Sequence, residues 1–235
     1  MSPIIEVSAV NYPESDGQPM GETDEHRDAI IRHINLLRAC FRRQRVYVSG
    51  DLLVYYEEGN PKKFVVPDAF AVKGIDPKKR RIYKIWVEGK APDVVIETTS
   101  RKTNRKDTQF KPNLFARLGV KEYFLFDPLS EYLDPALQGY RLAKGRFQRL
   151  KADSRGALLS RELGVRLQAD EGRLDFYRTD TGERILTPEE EREVAEAARR
   201  AEAKARQAEA KARQVAEAEV VRLRQELRRL TGGRE

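Results

Sequence analysis

The chain has 235 residues, of which 40% are hydrophobic and 35% charged, so it can build one core while much of it stays solvated. The net charge is +7, and the excess lies before Pro188, because residues 188–235 hold 12 Lys and Arg against 11 Asp and Glu. A single cysteine excludes an internal disulfide, and no segment reaches the roughly 18 apolar residues of a membrane helix. The first residues lack a basic start and a long apolar run, so no signal peptide is expected. We therefore expect a cytoplasmic protein with no membrane partner.

The first predicted element is a helix that begins after Thr23, a suitable N-cap, with acidic residues in its first turn. Its expected buried stripe, spaced at helical intervals, consists of Ile30, Ile34, Leu37 and Phe41. Runs typical of strands follow at residues 46–48, 52–56, 64–72 and 82–87. Pro67 interrupts the third of these runs.

The next segment predicts a strand–helix–strand unit. Residues 94–96 are wholly apolar, which is typical of a strand buried on both faces. A polar, basic segment at 98–106 leads into a helix that ends at Gly119, and residues 123–126 form another buried strand. Short links of this kind predict two parallel strands joined by the helix. Shorter strands are expected around residues 142–147 and 174–177.

The C-terminal part predicts one long helix. It begins at Thr187-Pro188, and residues 189–230 contain neither glycine nor proline. The segment AEAKARQ occurs twice in succession, and small or apolar residues recur every three or four positions, as in a heptad seam. Because most of the seam is alanine, two alternatives stay open: a lone solvated helix, or a coiled coil that joins two copies into a homodimer. We expect an α/β domain at residues 1–180 and the helix at 187–231.

Two carboxylates stand where chemistry is expected. Asp68 follows Pro67 on an apolar strand, and Glu97 ends the buried run at 94–96. An acid that closes a buried strand lies where the sheet opens to a cleft, since an unpaired carboxylate in the interior costs several kcal/mol. Acids on neighbouring strands make an oxygen site suited to Mg²⁺ or Mn²⁺. The alternative is two separate, salt-bridged acids.

A nearby ammonium group would complete a site for phosphodiester cleavage, which needs a cation beside the attacking water and the phosphoryl oxygens. The usual lysine of such sites stands two residues after the glutamate, but that position is Thr99. Lys102, Lys106 and Lys111 are the next candidates, and we favour Lys111, which can point back toward Glu97 from the following helix. The alternative role of Lys111 is a salt bridge to Asp107. Since Pro112 follows it, helix ordering is expected to begin only at Pro112.

These motifs together resemble the Uma-type family of putative bacterial restriction endonucleases, within the PD-(D/E)XK nuclease superfamily. The resemblance covers roughly residues 11–142 and rests on YVSGDLLVYYEEGNP, VPDAFAV, APDVVIETTSRKT and LFARLGVKEYFLFDPLSEYL. It implies a restriction-endonuclease-like α/β core, a mixed central sheet flanked by helices. It also implies Asp68 and Glu97 as metal ligands, the Thr98 backbone carbonyl as a third ligand, and Lys111 as the displaced lysine. The family pattern departs here at Thr98, where an aliphatic residue is usual, and at Pro112.

Members of this superfamily often carry an extra acid on the first helix, and Glu22 occupies that region. It is expected either to help hold the metal or to act as a capping or salt-bridging residue. Four basic residues between Glu97 and Lys111 can neutralise DNA phosphates, or can form a plain solvated loop. They are Arg101, Lys102, Arg105 and Lys106.

The expected function is a DNA endonuclease that hydrolyses phosphodiester bonds with metal-activated water. One rival function is a non-catalytic DNA-binding or adaptor protein that keeps the nuclease fold, and another is an assembly protein that acts through its helical tail. Other chemistries lack their parts, because the sequence has no P-loop, dinucleotide-binding glycine pattern, zinc-type Cys/His cluster or nucleophile elbow.

Overall fold

The computed structural model describes residues 10–17, 23–100 and 103–231, with side chains as far as 229. It divides into two compact units, Met1–Thr187 and Pro188–Glu235. Twelve strands lie in the described part of the first unit: β1 Val46–Ser49, β2 Val54–Tyr55, β3 Phe64–Val65, β4 Ala69–Lys73, β5 Tyr83–Lys84, β6 Val94–Thr98, β7 Glu122–Phe126, β8 Leu137–Ala143, β9 Arg146–Arg149, β10 Leu158–Ser160, β11 Val165–Asp170 and β12 Arg173–Arg178. The helices are α1 Asp24–Cys40, α2 Ile85–Glu88, α3 Lys111–Leu118 and α4 Pro188–Thr231.

The central sheet is mixed and has the strand order β1-β4-β6-β7-β8-β9. Strands β6 and β7 are parallel, and the other neighbours in this sheet are antiparallel. The predicted strand–helix–strand unit is therefore confirmed, with α3 in its connection. Two three-stranded sheets, β10-β11-β12 and β3-β2-β5, complete the β structure of the described residues.

Helix α1 covers one face of the central sheet. Thr23 caps it as predicted, because its Oγ1 accepts a 3.3 Å hydrogen bond from the His26 backbone N–H. The predicted stripe is only partly right: Leu37 and Phe41 are buried, whereas Ile30 and Ile34 stay partly exposed. Two histidines instead occupy buried positions on this helix, His26 and His33. A ring nitrogen of each histidine lies within hydrogen-bond distance of Thr98, at the C-terminal end of β6.

The two faces of the sheet build two cores. Alternation along β6 sends Val94 and Ile96 to the core on the α1 side, and Val95 to the core that contains α3 residues Leu114 and Phe115. Cys40 belongs to the α1-side core, where burial raises the pKa of its thiol to about 12, as expected for an inert free thiol.

The connection to α3 differs from the prediction. Residues Lys106–Phe110 form a π-helical turn, and Lys111 follows in helical conformation with φ −58° and ψ −42°. Helical order therefore begins before Pro112, not at it. A proline ring clashes with the carbonyl four residues earlier in an α-helix, and a wider π turn accommodates it.

The expected strand at 82–87 is also wrong for its second half. Only Tyr83–Lys84 is extended, and Ile85–Glu88 makes one helical turn closed by Gly89 in the left-handed region, with φ 71°. Val87 on this turn is exposed. The strand preference of the apolar residues is therefore overridden by the local turn.

Helix α4 is a single element of 44 residues with side chains exposed over most of its length. Several ion pairs on its surface join residues three or four apart, including Glu202 with Arg206 and Arg213 with Glu217. Across the described residues, no helix is both long and apolar enough to cross a membrane.

Candidate active site

Glu97 lies at the C-terminal end of β6, and its side chain points to the α3 side of the sheet. The strand alternates, so Val95 and Glu97 share that face while Thr98 turns to α1. Glu97 is fully buried, and only one of its carboxylate oxygens, Oε2, is hydrogen-bonded within the described residues. The position at the end of the strand agrees with the sequence analysis, but the acid was expected to face a cleft and its side chain is instead fully buried.

Asp68 comes to the same place from the neighbouring strand, β4, which it precedes. The Thr98 backbone N–H donates a 2.6 Å hydrogen bond to Asp68 Oδ2, and the Asp68 backbone N–H lies 3.4 Å from Glu97 Oε2. Gly50 permits this arrangement, because a Cβ there would lie 2.0 Å from the Asp68 carbonyl oxygen. The Asp51 N–H anchors the same segment through a 2.9 Å bond to the Pro67 carbonyl. Asp68 and Glu97 therefore converge.

Lys111 reaches the two acids from the start of α3. Its Nζ donates a 2.7 Å hydrogen bond to Glu97 Oε2, and its side chain is 12% exposed. Nζ also lies 2.9 Å from Asp107 Oδ1 as an ion pair without hydrogen-bond geometry. Both contacts that the sequence left open are present in the structure: Lys111 pairs with Asp107 and also contacts Glu97.

Asp107 is a third carboxylate of this cluster, and the sequence indicated no role for it beyond a salt bridge to Lys111. It is fully buried in the π turn, and the hydroxyl of Tyr123 donates a 2.9 Å hydrogen bond to its backbone carbonyl. Neither of its carboxylate oxygens has a hydrogen bond within the described chain. Its spacing of four from Lys111 was the available signal, but that spacing is equally typical of a surface pair.

The charges of this cluster are not balanced, since three carboxylates face one ammonium group. Burial raises the pKa of Glu97 well above its usual value, and Asp68 and Asp107 add to the effect while Lys111 opposes it. Burial likewise raises the pKa of Asp68. For Lys111, burial lowers the pKa, but Glu97, Asp68 and Asp107 outweigh burial and raise it, so the ammonium stays charged.

Unsatisfied carboxylate oxygens in this cluster suit a divalent cation. Glu97 Oε1 is buried without a hydrogen bond, and Asp68 Oδ1 accepts none from the described part of the chain. Two oxygens on adjacent strands and an excess of negative charge fit a hard cation. The fit stops there, because no group of three His, Cys, Asp or Glu side chains among the described residues is arranged to hold a metal ion.

Thr98 is held from both sides by histidines of α1. His26 Nε2 donates a 2.6 Å hydrogen bond to the Thr98 carbonyl, the predicted third metal ligand, which keeps one lone pair. His33 Nδ1 lies 3.2 Å from Thr98 Oγ1, and burial lowers the pKa of His33 to about 3, so its ring is neutral. The sequence did not assign either contact, because nothing in one sequence shows that α1 crosses the end of β6.

The remaining predicted residues divide into two sets. Glu22, Arg101 and Lys102 lie outside the described residues. Arg105 and Lys106 are exposed at the start of the π turn, close in sequence to the buried Asp107. Neither side chain forms an ion pair with another described residue, so both charges are available to an anion.

Comparison with known proteins gives one match to a protein family. The family model for Uma2, described as a putative restriction endonuclease, matches residues 8–189. A search of curated proteins finds no match. Among solved structures, the chain is similar to a putative nuclease belonging to DUF820 from Anabaena variabilis ATCC 29413, with 13% identity and a TM-score of 0.45 over 66% of this chain and 86% of that one. Because the family model spans most of the sequence, including Asp68, Glu97 and Lys111, the chain belongs to the Uma2 family of putative restriction endonucleases.

Proposed function

We propose that the protein is a metal-dependent endonuclease that hydrolyses phosphodiester bonds of DNA. Family membership supports nuclease function in general. The observation that carries the finer proposal is the meeting of Asp68, Glu97 and Lys111 at one end of β6, with Lys111 Nζ 2.7 Å from Glu97 Oε2. Charged groups that are removed from water together, as these are, cluster at functional sites.

In this proposal Asp68 and Glu97 hold one Mg²⁺ or Mn²⁺ ion through their unsatisfied oxygens, with the Thr98 carbonyl as third ligand. A bound ion would polarise the phosphoryl group and lower the pKa of a water molecule. The Asp68 carboxylate is oriented by the Thr98 N–H, and the His26 contact fixes the Thr98 carbonyl. These contacts hold the ligand oxygens in place before any cation or substrate arrives.

Lys111 would act on the reacting phosphate itself. Its ammonium is kept charged by the surrounding carboxylates, so it can donate a hydrogen bond to a phosphoryl oxygen as charge develops there. It can also orient the attacking water. Asp107 keeps a second contact on the ammonium at 2.9 Å, so Lys111 remains held when Glu97 engages a cation.

The DNA partner is supported by charge. The family model matches the part of the chain that carries the basic excess, and Arg105 and Lys106 are exposed beside the buried cluster. With Arg101 and Lys102, which lie outside the described residues, they would neutralise backbone phosphates of the DNA.

A plasmid-cleavage assay tests the proposal. Wild-type protein with Mg²⁺ or Mn²⁺ is expected to nick or linearise a supercoiled plasmid, and EDTA is expected to stop it. Glu97→Ala is expected to lose cleavage, because one of two carboxylate ligands is gone. Glu57→Ala, which removes the same charge from an exposed turn, is the matched control and should cut like wild type.

The rivals predict other outcomes of the same assay. DNA binding without cutting under any divalent metal would replace the enzyme with a non-catalytic DNA-binding protein. Cutting that survives Glu97→Ala with full rate would remove the site from the proposal and point to a contaminating nuclease. Loss of function on deletion of residues 188–235, with Asp68→Ala silent, would favour the assembly protein.

We also propose that α4 joins two copies of the chain. Large apolar side chains of the predicted seam are exposed to solvent, among them Val215 at 69% and Leu223 at 52%, so a second copy of the helix could bury them. Pairing of two such helices in a coiled coil would bury this seam. Sedimentation equilibrium tests it: wild type is expected as a dimer, and Val220→Asp with Leu223→Asp as a monomer.

A further inference from the structure

The edge of the central sheet carries a basic groove that none of the predicted site residues occupies. It has a volume of about 650 Å³ and runs between the C-terminal end of α1, strand β1 and residues 77–80. Its basic members are Arg38, Arg43, Lys79 and Arg80, and no acidic residue lines it within the described chain. A second cavity, beside α1 and β12, has lining residues of both signs.

Three of these four cations have unsatisfied charge. Arg80 is neutralised by Glu88 through hydrogen bonds of 2.7 and 2.8 Å, and its guanidinium lies 4.3 Å from the centre of the Tyr47 ring. Arg38, Arg43 and Lys79 are exposed, and their side chains make no ion pair with any residue that the structure describes. Like charges held close together repel, so their concentration in one groove favours an anionic ligand.

The backbone helps to hold this arrangement. Arg43 adopts a left-handed conformation with φ 67°, which is uncommon for a residue other than glycine. The turn around it is fixed by a 2.9 Å hydrogen bond from the Gln44 N–H to the Phe41 carbonyl. The turn that ends α1 therefore presents Arg43 to the groove at a position where glycine would be easier to accommodate.

One lining residue of the groove, Ser49, lies on the strand next to β4 and close to Asp68 of the candidate active site. Ser49 pairs with Phe70 across β1 and β4. Asp68 stands two residues before Phe70, so its Cα lies about 8 Å from that of Ser49, from strand rise and strand spacing. Alternation puts Ser49, Phe70 and Asp68 on the same side of the sheet as Glu97 and Lys111.

We infer that this groove binds the sugar-phosphate backbone of the nucleic acid whose bond is cut at Asp68, Glu97 and Lys111. The inference rests on the proposed function for the position of the scissile phosphate. In this inference Arg38, Arg43 and Lys79 each contact a phosphate. Arg80 remains paired with Glu88 and packs against the Tyr47 ring in the groove wall. The contacts are to the backbone, so they increase affinity for any sequence and carry no base specificity.

The salt dependence of binding tests the inference. Affinity for a labelled DNA duplex is measured by fluorescence anisotropy in EDTA, across a range of salt concentrations, for wild type and for Arg38→Gln/Arg43→Gln/Lys79→Gln. Losing three phosphate contacts should make the slope of log K against log salt shallower by about 2–3 and weaken binding at least about tenfold at moderate salt. The charge-conserving Arg38→Lys/Arg43→Lys variant should keep the wild-type slope.

The matched control removes the same charge from the opposite edge of the sheet. Arg146→Gln/Arg149→Gln/Lys151→Gln changes three exposed cations in and beside β9 and should leave the slope near wild type. If the groove variant keeps the wild-type slope, or if the control loses as much, the inference is overturned. A groove for an acidic peptide would give that same unchanged slope. If the triple variant fails to fold by circular dichroism, Lys79→Gln alone should still reduce the slope by about 0.9.

The parallel plasmid assay separates this inference from the proposed function. If wild type cleaves DNA through Glu97 but the groove variant keeps the wild-type salt slope, the groove inference is rejected and the nuclease proposal stands. If the groove variant shows a reduced salt slope but wild type never cuts DNA, the groove remains a nucleic-acid site and the nuclease proposal is rejected.

Discussion

The two ends of β6 carry buried acids in opposite electrostatic situations. Asp93 precedes the strand and is 1% exposed, while Glu97 near its other end is fully buried. Asp93 accepts a 2.7 Å hydrogen bond from the Lys73 N–H, and the Nζ atoms of Lys90 and Lys121 lie 2.7 and 2.9 Å from its oxygens. Glu97 shares one ammonium group, from Lys111, with Asp107.

The pKa values move in opposite directions for the same reason. Burial raises the pKa of Asp93, but Lys90, Lys121 and the Lys73 N–H more than offset it, and the net shift is downward. At Glu97 burial wins, and the pKa rises. A buried acid that is over-neutralised stabilises the fold, whereas one that is under-neutralised is held at some cost by its surroundings. The difference teaches that charge balance separates a structural acid from a candidate ligand when burial alone does not.

The largest expected effect is on cleavage, and it uses isosteric changes at the two ends. Glu97→Gln keeps the shape of the side chain but removes a cation-binding charge, so the cleavage rate should fall by at least about 10²-fold. Asp93→Asn should cut within a few-fold of wild type, because its ion pairs lie at the other end of the strand. Single-turnover plasmid cleavage at saturating Mg²⁺ measures both. Equal losses of cleavage rate in Glu97→Gln and Asp93→Asn would contradict the distinction between the two ends of β6.

The two variants should rank in the opposite order in stability, with Asp93→Asn losing more than Glu97→Gln. Asp93→Asn removes a buried charge from two lysines and should lower the free energy of unfolding by about 2 kcal/mol, less than for a fully buried pair because Lys90 and Lys121 are part-exposed. Glu97→Gln relieves repulsion in the three-carboxylate cluster, so its unfolding free energy should equal or exceed that of wild type. Urea unfolding at neutral pH measures the free energy of unfolding of wild type and both variants. A Glu97→Gln protein less stable than Asp93→Asn would contradict this account.

The contribution of Asp93 should also depend on pH. Its pKa in the folded protein is depressed, so the stabilisation is fully present above the unfolded value near 3.9 and is lost as pH falls through the folded value. The stability gap between wild type and Asp93→Asn should therefore be constant at neutral and mildly acidic pH and narrow below about pH 4. Urea curves for both proteins at several pH values give the gap. A gap that widens on acidification has the wrong sign for a depressed pKa.

Much of the fold followed from local pattern. The apolar runs at 94–96 and 123–126, with a helix that ends at Gly119, predicted the parallel pair β6 and β7 that carries Glu97. The cap at Thr23 was equally visible. The failures occurred where a local turn overrides the strand preference of apolar residues, as at Ile85–Glu88, and where a π turn lets Lys111 stay helical before Pro112.

The site was predictable only in part. Pro-Asp occurs twice, at 67–68 and 92–93, and the family pattern picked Asp68, which the structure places beside Glu97. No single-sequence signal indicates that Asp93 would be neutralised by two lysines, Lys90 and Lys121, from different segments. The same limit applies to Asp107 and His26, because the contacts they make depend on which elements meet at the end of β6 and not on any spacing.

The smallest predicted effect concerns Asp107, which shares Lys111 with Glu97. If Asp107 only holds the Lys111 ammonium in place, Asp107→Asn should slow cleavage by about tenfold, which is typical for loss of a residue that orients a reacting group. The Mg²⁺ affinity should then stay unchanged. Isothermal titration with Mg²⁺ and the plasmid assay separate the two quantities, with Thr108→Ala, a change at the exposed neighbouring position, as the control. A loss of Mg²⁺ affinity as large as that of Glu97→Gln would mean that Asp107 contacts the cation itself. The under-neutralised end of β6 would then have three carboxylate ligands where the sequence predicted two, and Lys111 would have to reach the phosphate without a dedicated partner.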